Sequence, residues 1–237
     1  MNTRGLLDQL LKSGQDLLQN KAGTRQDAAG GLGGLLGSGT GNLGSLLSGA
    51  GGGALAAGAM GLLLGNKSAR KLGGKALTYG GLAALGVIAY KAYGNWQAQQ
   101  ASAPQGEPQT LDRLPAPQVE QHSQAILKAL VAAAKADGHV DARERQLIEG
   151  ELSKLTHDQE LQRWLETELN KPLDPADVAR AAQTPEMAAE MYLASVLLVD
   201  EEHFMERAYL DELARQLKLD PALKVELEAQ VGKELQG

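Results

Sequence analysis

Two aspartates, a histidine and a glutamate lie close together in KADGHVDARE, residues 135–144. Carboxylate oxygens are the ligands that Ca²⁺ and Mg²⁺ prefer, and a carboxylate beside an imidazole can also move protons. The same residues have a structural interpretation. Asp141 and Glu144 have capping-box spacing, and Gly138 suits the left-handed residue that ends a helix. The stretch therefore favours either a cation site or a joint between two helices.

A second acidic turn lies in LLVDEEHFMERAYLDELA, residues 197–214. An apolar helix is predicted to end at Asp200, and a helix carrying Glu206 is predicted to begin soon afterwards. Two such turns facing each other would gather an all-oxygen set suited to Ca²⁺ or Mg²⁺: Asp137, Asp141, Glu144, Asp200 and Glu206. The first turn is not an EF-hand, because Ile148 occupies the position that would need a bidentate carboxylate.

Glycine content and charge divide the chain near residue 104. Residues 1–103 hold 24 of the 29 glycines and have a net charge of +6, whereas residues 104–237 have a net charge of −12. The acidic second part argues against nucleic-acid binding, which relies on Lys and Arg. The sequence has no cysteine, so disulfides and thiolate zinc sites are excluded.

Leucines at helical spacing predict a short amphipathic helix at the start of the chain: Leu6, Leu7, Leu10, Leu11, Leu17 and Leu18. Such a helix could lie on a membrane surface or dock onto another helix. A long uncharged run follows over residues 28–66, and its first part is rich in Gly and Ser. Residues 1–48 are therefore interpreted as this helix and a flexible glycine-rich segment.

Small residues recur at every fourth position from Gly49 to Gly65. On a helix they would form a groove that allows two backbones to approach closely in lipid. The groove predicts a homo-oligomer through Gly53, Ala57, Gly61 and Gly65. A glycine-rich linker that falls in this register by chance is the alternative.

An uncharged run over residues 76–90, flanked by lysines and aromatic residues, predicts a membrane span within residues 73–96. Glycines at 80, 81 and 86 would be costly in a helix in water, which favours a membrane segment over a buried soluble helix. Residues 49–96 are thus interpreted as a glycine-zipper and transmembrane region in contact with membrane lipid. Basic residues precede the span, so its C-terminal side is expected in the periplasm, whether or not residues 49–65 also span. Only a span at residues 49–65 alone would place the C-terminal domain inside.

After a polar linker, residues 97–117, the sequence predicts helices only, so the fold class is all-α. Pairs of a capping residue and a proline mark three helix starts, at 174–175, 184–185 and 220–221. The domain over 118–237 is predicted to contain seven helices: 119–136, 142–155, 158–169, 175–182, 185–199, 204–217 and 221–235. Its predicted core consists of Ile126, Leu127, Leu130, Leu147, Ile148, Trp164, Leu165, Tyr192, Leu193, Val196, Phe204, Leu210 and Leu213.

The stretches AAKADGHVDARERQLI and LLVDEEHFMERAYLDELARQLKL resemble the TerB-like helical domain, named for tellurite-resistance proteins. With the glycine-rich region before it, the chain resembles YebE-type bacterial inner-membrane proteins of unknown function over residues 40–237. The resemblance implies a helical bundle whose acidic turns bind a divalent metal. It places that role on the five carboxylates named above.

The sequence thus favours a membrane-anchored helical binding module, with a cation or a protein as its ligand. A role in envelope stress or metal-related signalling is implied by the resemblance alone. Two alternatives remain open. One is a hydrolase that uses the acidic cluster with a bound cation, which needs an open coordination position in a concave pocket. The other is a structural scaffold that oligomerises through the glycine groove.

The metal hypothesis predicts that Ca²⁺ or Mg²⁺ raises the melting temperature of the protein. Asp137→Asn should abolish this stabilisation and leave the helix content unchanged. If the carboxylates only cap helices, Asp141→Ala should cost about 0.5–2 kcal/mol of stability with no metal dependence. A melting temperature that responds to no divalent ion would contradict metal binding.

Overall fold

The computed structural model describes residues 2–8, 82–100, 106–136, 156–199 and 203–236, and these residues form helices and connections without a strand. The predicted all-α class is therefore confirmed for this part of the chain. Residues 3–8 form a short helical segment. The numbered helices are α1 Leu82–Gln99, α2 Ala116–Ala133, α3 Gln159–Asn170, α4 Pro175–Ala179, α5 Pro185–Leu198, α6 Phe204–Gln216 and α7 Pro221–Gln236.

Side-chain caps fix where several helices begin, as the sequence predicts. Asp174 accepts a hydrogen bond from the Ala176 amide, and Thr184 accepts one from the Met187 amide. Asp220 accepts from the first amides of α7. Each cap satisfies an amide that has no partner within its helix. Helices α2 to α7 match six of the seven predicted helices, and the other, 142–155, lies outside the described residues.

Helix α5 lies at the centre of the bundle. Eleven of its 14 residues are buried, and Glu190 is the only charged residue among these eleven. A helix that is apolar all round must be enclosed by other elements. Helices α1, α2, α6 and α7 all contact it.

Most of the predicted core is buried around α5. The buried members are Ile126, Leu127, Leu165, Tyr192, Leu193, Val196, Leu210 and Leu213. Leu130 and Trp164 are partly buried and pack against this core. Leu147 and Ile148 lie outside the described residues.

The prediction of Phe204 as a core residue is wrong, because its side chain is 83 % exposed. Helix α6 buries Glu206, Tyr209, Leu210 and Leu213, which share one face at helical spacing. At about 100° per residue, Phe204 falls on the opposite side of the helix from that face.

Helix α1, which covers part of the predicted membrane span, packs against α7 and α5. Its buried face consists of Leu85, Ile88, Ala89, Ala92 and Tyr93. Two polar contacts join its C-terminal end to α7. Asn95 Nδ2 donates to Glu226 Oε1 at 2.8 Å, and Trp96 Nε1 donates to Asp220 Oδ1 at 3.2 Å.

No helix in the described part of the chain is long and apolar enough to cross a membrane. The predicted span over residues 73–96 is thus not supported there, and residues 73–81 lie outside the described residues. Gly86 has a packing role instead. A Cβ atom at this position would lie 2.8 Å from both the amide nitrogen and the Oδ1 of Asp112. Glycine here allows the segment before α2 to lie directly against α1.

Residues 106–114 contribute to the buried interior, although the sequence predicts that they belong to a polar linker. Thr110 and Leu111 are 0 % and 5 % exposed. The Leu111 amide donates to Glu190 on α5. Arg113 lies over the ring of Tyr90 on α1, with its guanidinium carbon 3.8 Å from the ring centroid.

The start of the predicted N-terminal amphipathic helix docks onto the bundle. Leu6 and Leu7 are buried. The Thr3 amide donates to Glu120 Oε1 at 2.5 Å, and the Asn2 amide donates to Asp158 Oδ2 at 3.0 Å. Carboxylates at a helix start satisfy its unpaired amides and complement its dipole. Residues 2–8 therefore dock onto other helices, which is one of the two alternatives for the start of the predicted amphipathic helix.

The packing of α1 predicts that a fragment starting at residue 115 is much less stable than one starting at residue 82. Loss of Leu85 and Ile88 alone should cost about 3 kcal/mol or more, since each large buried side chain contributes about 1.5–3 kcal/mol. Denaturant titration of fragments 82–237, 100–237 and 115–237 measures the difference. The middle fragment separates the contribution of α1 from that of residues 106–114, and equal unfolding free energies would contradict the expectation.

Candidate functional site

Four of the five carboxylates predicted to bind a cation, Asp137, Asp141, Glu144 and Asp200, lie outside the described residues. Glu206 lies in the first turn of α6 and is 3 % exposed, with its Oε1 3.8 Å from Nδ1 of His203. Within the described ranges, no group of three or more His, Asp or Glu residues could hold a metal ion. The five-residue Ca²⁺ or Mg²⁺ site stays a prediction. The groove residues Gly53, Ala57, Gly61 and Gly65 also lie outside the described residues.

The described residues contain a cleft of about 630 Å³ where α1, α4, α5 and the turn between α6 and α7 meet. Its apolar wall is formed mainly by alanines and leucines, namely Ala176, Ala179, Ala182, Ala188, Leu217, Leu219 and Leu223. Because alanine side chains are short, the four elements leave space between them. A concave, mostly apolar site of this size is typical of ligand and partner recognition.

Two aromatic residues of α1 line the cleft beside this wall. The rings of Tyr93 and Trp96 are 5.1 Å apart and meet edge to face at 70°. The hydrogen bond from Trp96 to Asp220 holds the indole in place. Burial raises the pKa of Tyr93, and the carboxylate of Glu186 raises it further, so the phenol stays neutral at physiological pH. Trp96 therefore offers a fixed aromatic surface to the cleft, with the buried, uncharged Tyr93 ring packed against it.

Two cations stand at the rim of the cleft, Arg180 after α4 and Lys218 after α6. Arg180 pairs with Asp177 at 2.7 Å, yet 67 % of its side chain is exposed. Lys218 is exposed and has no ion-pair partner among the residues that the structure describes. In a domain with a large negative charge, these cations favour a ligand with an anionic group.

Lys218 occupies a backbone conformation that normally selects glycine. Its φ is +55°, and its amide donates to Arg215 O while the Leu219 amide donates to Ala214 O. These are the two hydrogen bonds of a Schellman motif, whose left-handed residue is usually Gly. A lysine there costs roughly 1–2 kcal/mol relative to a right-handed position. The chain thus carries a cation at the rim at some cost in stability.

A second polar feature, a buried carboxylate and histidine pair, lies inside the bundle. Glu190 is fully buried on α5, and its Oε2 lies 2.5 Å from Nδ1 of His122 on α2. Its other oxygen, Oε1, accepts a hydrogen bond from the Leu111 amide at 2.5 Å. Burial raises the pKa of Glu190, although His122 and the Leu111 amide favour the ionised form. The carboxylate therefore joins three separate segments of the chain.

The Glu190–His122 pair has the residue types of an acid–base site but not the access. Both side chains are at least 95 % buried, with 0 % and 5 % exposed. A general base must come within hydrogen-bond distance of its substrate. The pair therefore has a structural role, because it holds α5, α2 and the Leu111 turn together.

A third polar cluster fixes α4 against α2. Lys128 Nζ contacts Asp177 Oδ2 at 2.9 Å and also donates to the carbonyl oxygen of Asp177 at 2.8 Å. Hydrogen bonds from Lys128 and Arg180 lower the pKa of Asp177 to about 2. The cluster anchors the helix from which Arg180 reaches the cleft.

Sequence reasoning missed both the cleft and the buried pair. The signal for the pair was present, because Glu190 is the only charged residue within the apolar run MAAEMYLASVLL. A charge in such a run needs a buried partner. The cleft left no comparable signal, since its lining comes from segments far apart in the sequence.

The raised pKa of Glu190 predicts a pH-dependent difference in stability between the wild type and Glu190→Gln. The folded wild type holds the Glu190 proton more tightly than the unfolded chain does. Its contribution to stability is thus fully present below pH 4.5 and is lost as pH rises through the raised value. The unfolding free energy of the wild type minus that of Glu190→Gln should therefore fall as pH rises.

Urea titrations between pH 4 and 8 measure this difference. If the difference in unfolding free energy does not vary with pH, the prediction that Glu190 titrates in the folded protein with a raised pKa is wrong. Glu190→Ala serves as a second variant. It should cost about 1–3 kcal/mol for each group that it leaves unsatisfied, because His122 and the Leu111 amide lose their buried partner.

Comparison with known proteins places the chain in a family. No solved structure matches the chain. A similar protein, "Uncharacterized protein in ampR 5'region" of Yersinia enterocolitica, is 38% identical over 101 residues, covering 43% of this chain and 73% of that protein. The model of the family described as "Protein of unknown function (DUF533)" matches residues 49–231, more than half of the chain. The chain belongs to this family, DUF533.

Proposed function

We propose that the helical bundle is a binding module that holds part of a partner protein in the cleft beside Tyr93 and Trp96. The observation that carries this proposal is the combination of apolar walls, a fixed aromatic pair and two rim cations. Interface cores favour aromatic residues and arginine, and the surrounding rim is polar. The cleft has this composition, and it is large enough to hold a few side chains of a partner.

The polar groups of the cleft favour binding over catalysis. Asp220 caps α7 and accepts from Trp96, while Thr184 caps α5. Arg180 is paired with Asp177. These groups therefore already serve structural roles, and a hydrolytic role for the cleft has no support among the described residues. The cation site predicted at the acidic turns remains a separate part of the proposal.

Membrane attachment and a TerB-like, YebE-type identity also belong to this proposal. Because residues 2–8 and α1 both belong to the bundle, a membrane segment would lie between them, for example within the uncharged run of residues 28–66, with both of its ends on the side of the bundle. Lys67, Arg70, Lys71 and Lys75 then fall between that segment and the bundle. An excess of Lys and Arg stays on the cytoplasmic side, so this arrangement favours a cytoplasmic bundle. A reporter fused at Gly237 that is active only in the periplasm would contradict it.

Photo-cross-linking in cells tests the proposed use of the cleft. A benzophenone amino acid replaces Gln183, which is exposed at the cleft, in the full chain. If the cleft holds a protein, irradiation should produce a defined adduct of higher mass. Glu166 is a matched control, because it is exposed on α3, which does not line the cleft.

A charge variant makes the test specific to the rim. Lys218→Gly should raise the stability of the protein by up to about 1 kcal/mol, because glycine adopts positive φ without strain. It should nevertheless weaken the Gln183 adduct, since it removes a cation. Adducts of equal yield from Gln183 and Glu166 would mean that the cleft is not a binding site.

A further inference from the structure

Two large apolar side chains lie exposed side by side at the start of α6. Phe204 is 83 % exposed and Met205 is 52 % exposed. The residue before them, His203, makes no side-chain cap to the first amides of the helix. Adjacent exposed residues of this size are unfavourable in water and typically mark a contact with another molecule.

Helix α6 connects this pair to the cleft. The pair lies at its N-terminal end, and Gln216 and Leu217 line the cleft at its C-terminal end. The helix has 13 residues, so the two features are roughly 20 Å apart at about 1.5 Å per residue. A rigid helix of this length keeps the pair of one molecule away from its own cleft.

We propose that the Phe204–Met205 pair of one copy of the chain occupies the cleft of a second copy. This inference rests on the proposed function of the cleft and names its partner. Each copy contains both halves of the contact, one at each end of α6.

The chemistry of the two surfaces is complementary. The cleft presents alanine and leucine side chains together with the partly exposed Trp96 ring, which packs on Tyr93. A phenylalanine ring packs well against the edges and faces of such rings, and a methionine sulfur makes favourable contacts with them. The volume of about 630 Å³ has room for both side chains.

Charge complementarity favours a second copy as the occupant. Residues 200–202, directly before the His203–Phe204 sequence, read Asp-Glu-Glu. The cleft has Arg180 and Lys218 at its rim. Two acidic domains repel each other in most orientations, so a cationic rim favours the orientation that brings this acidic sequence towards it.

The proposed contact is heterologous, because two different surfaces of the same chain meet. Such contacts leave one half unused at each end and continue until a ring closes or a filament forms. They also place the N-terminal end of one α6 near the C-terminal end of another, an arrangement that helix dipoles favour.

Engineered disulfides test the contact directly, because the full chain contains no cysteine of its own. Gln183→Cys and Met205→Cys are made in two separately tagged copies, mixed and oxidised. We expect a disulfide-linked species of both tags from the mixture and little from either variant alone. A chain that carries both substitutions should give a ladder of multimers or one closed ring.

Two controls make the result decisive. Glu166→Cys replaces Met205→Cys as a matched exposed position away from the pair. Phe204→Ser, in the Met205→Cys copy, should reduce the mixed disulfide severalfold without unfolding the protein, because Phe204 is exposed. A mixed disulfide no more abundant than with Glu166→Cys, or unaffected by Phe204→Ser, overturns the inference.

Photo-cross-linking at Gln183 separates failure of this inference from failure of the proposed function. An adduct at twice the mass of the chain, lost in Phe204→Ser, supports both. Adducts only with proteins of other mass leave the cleft as a binding site and overturn the second copy as its occupant. Absence of any adduct overturns both.

Discussion

A helix that is apolar on all sides cannot remain at a surface, and α5 imposes this constraint on the whole bundle. Four other helices enclose it, including α1, which comes from the region that the sequence separates from the domain. The only buried charged residue of α5 is Glu190, so its position decides what lies next to it. The carboxylate draws in His122 from α2 and the Leu111 amide from the preceding turn. One buried carboxylate and its two partners therefore fix how the neighbouring segments pack around α5.

Local features of the fold could be predicted from the sequence because they depend on neighbouring residues. A helix start such as Asp174-Pro175 or Thr184-Pro185 needs only a capping oxygen and a proline with suitable φ. Phe204 shows the limit of this reasoning. Its hydrophobicity suggests burial, but the phase of α6 is set by Glu206 and Tyr209, which turn it towards solvent.

Features that depend on distant residues could not be predicted. Considered by local pattern alone, the uncharged, glycine-containing run of residues 76–90, part of which lies in α1, suits lipid and a protein interior equally well. The deciding contact is between Gly86 and Asp112, which only the folded chain brings together. The same holds for the cleft, whose aromatic residues lie on α1 and whose cations follow α4 and α6. Lys218 adds a further difficulty, because no glycine or asparagine in the sequence marks the left-handed position.

The docked N-terminus restricts the topology of the chain. Residues 2–8 are held by Glu120 and Asp158, and the chain re-enters the same body at Leu82. The two ends of the segment 9–81 are therefore attached to the same body. A path with both ends on one side of a bilayer crosses that bilayer an even number of times or not at all. With residues 2–8 docked, any insertion of residues 9–81 into a membrane must therefore have the parity of a hairpin.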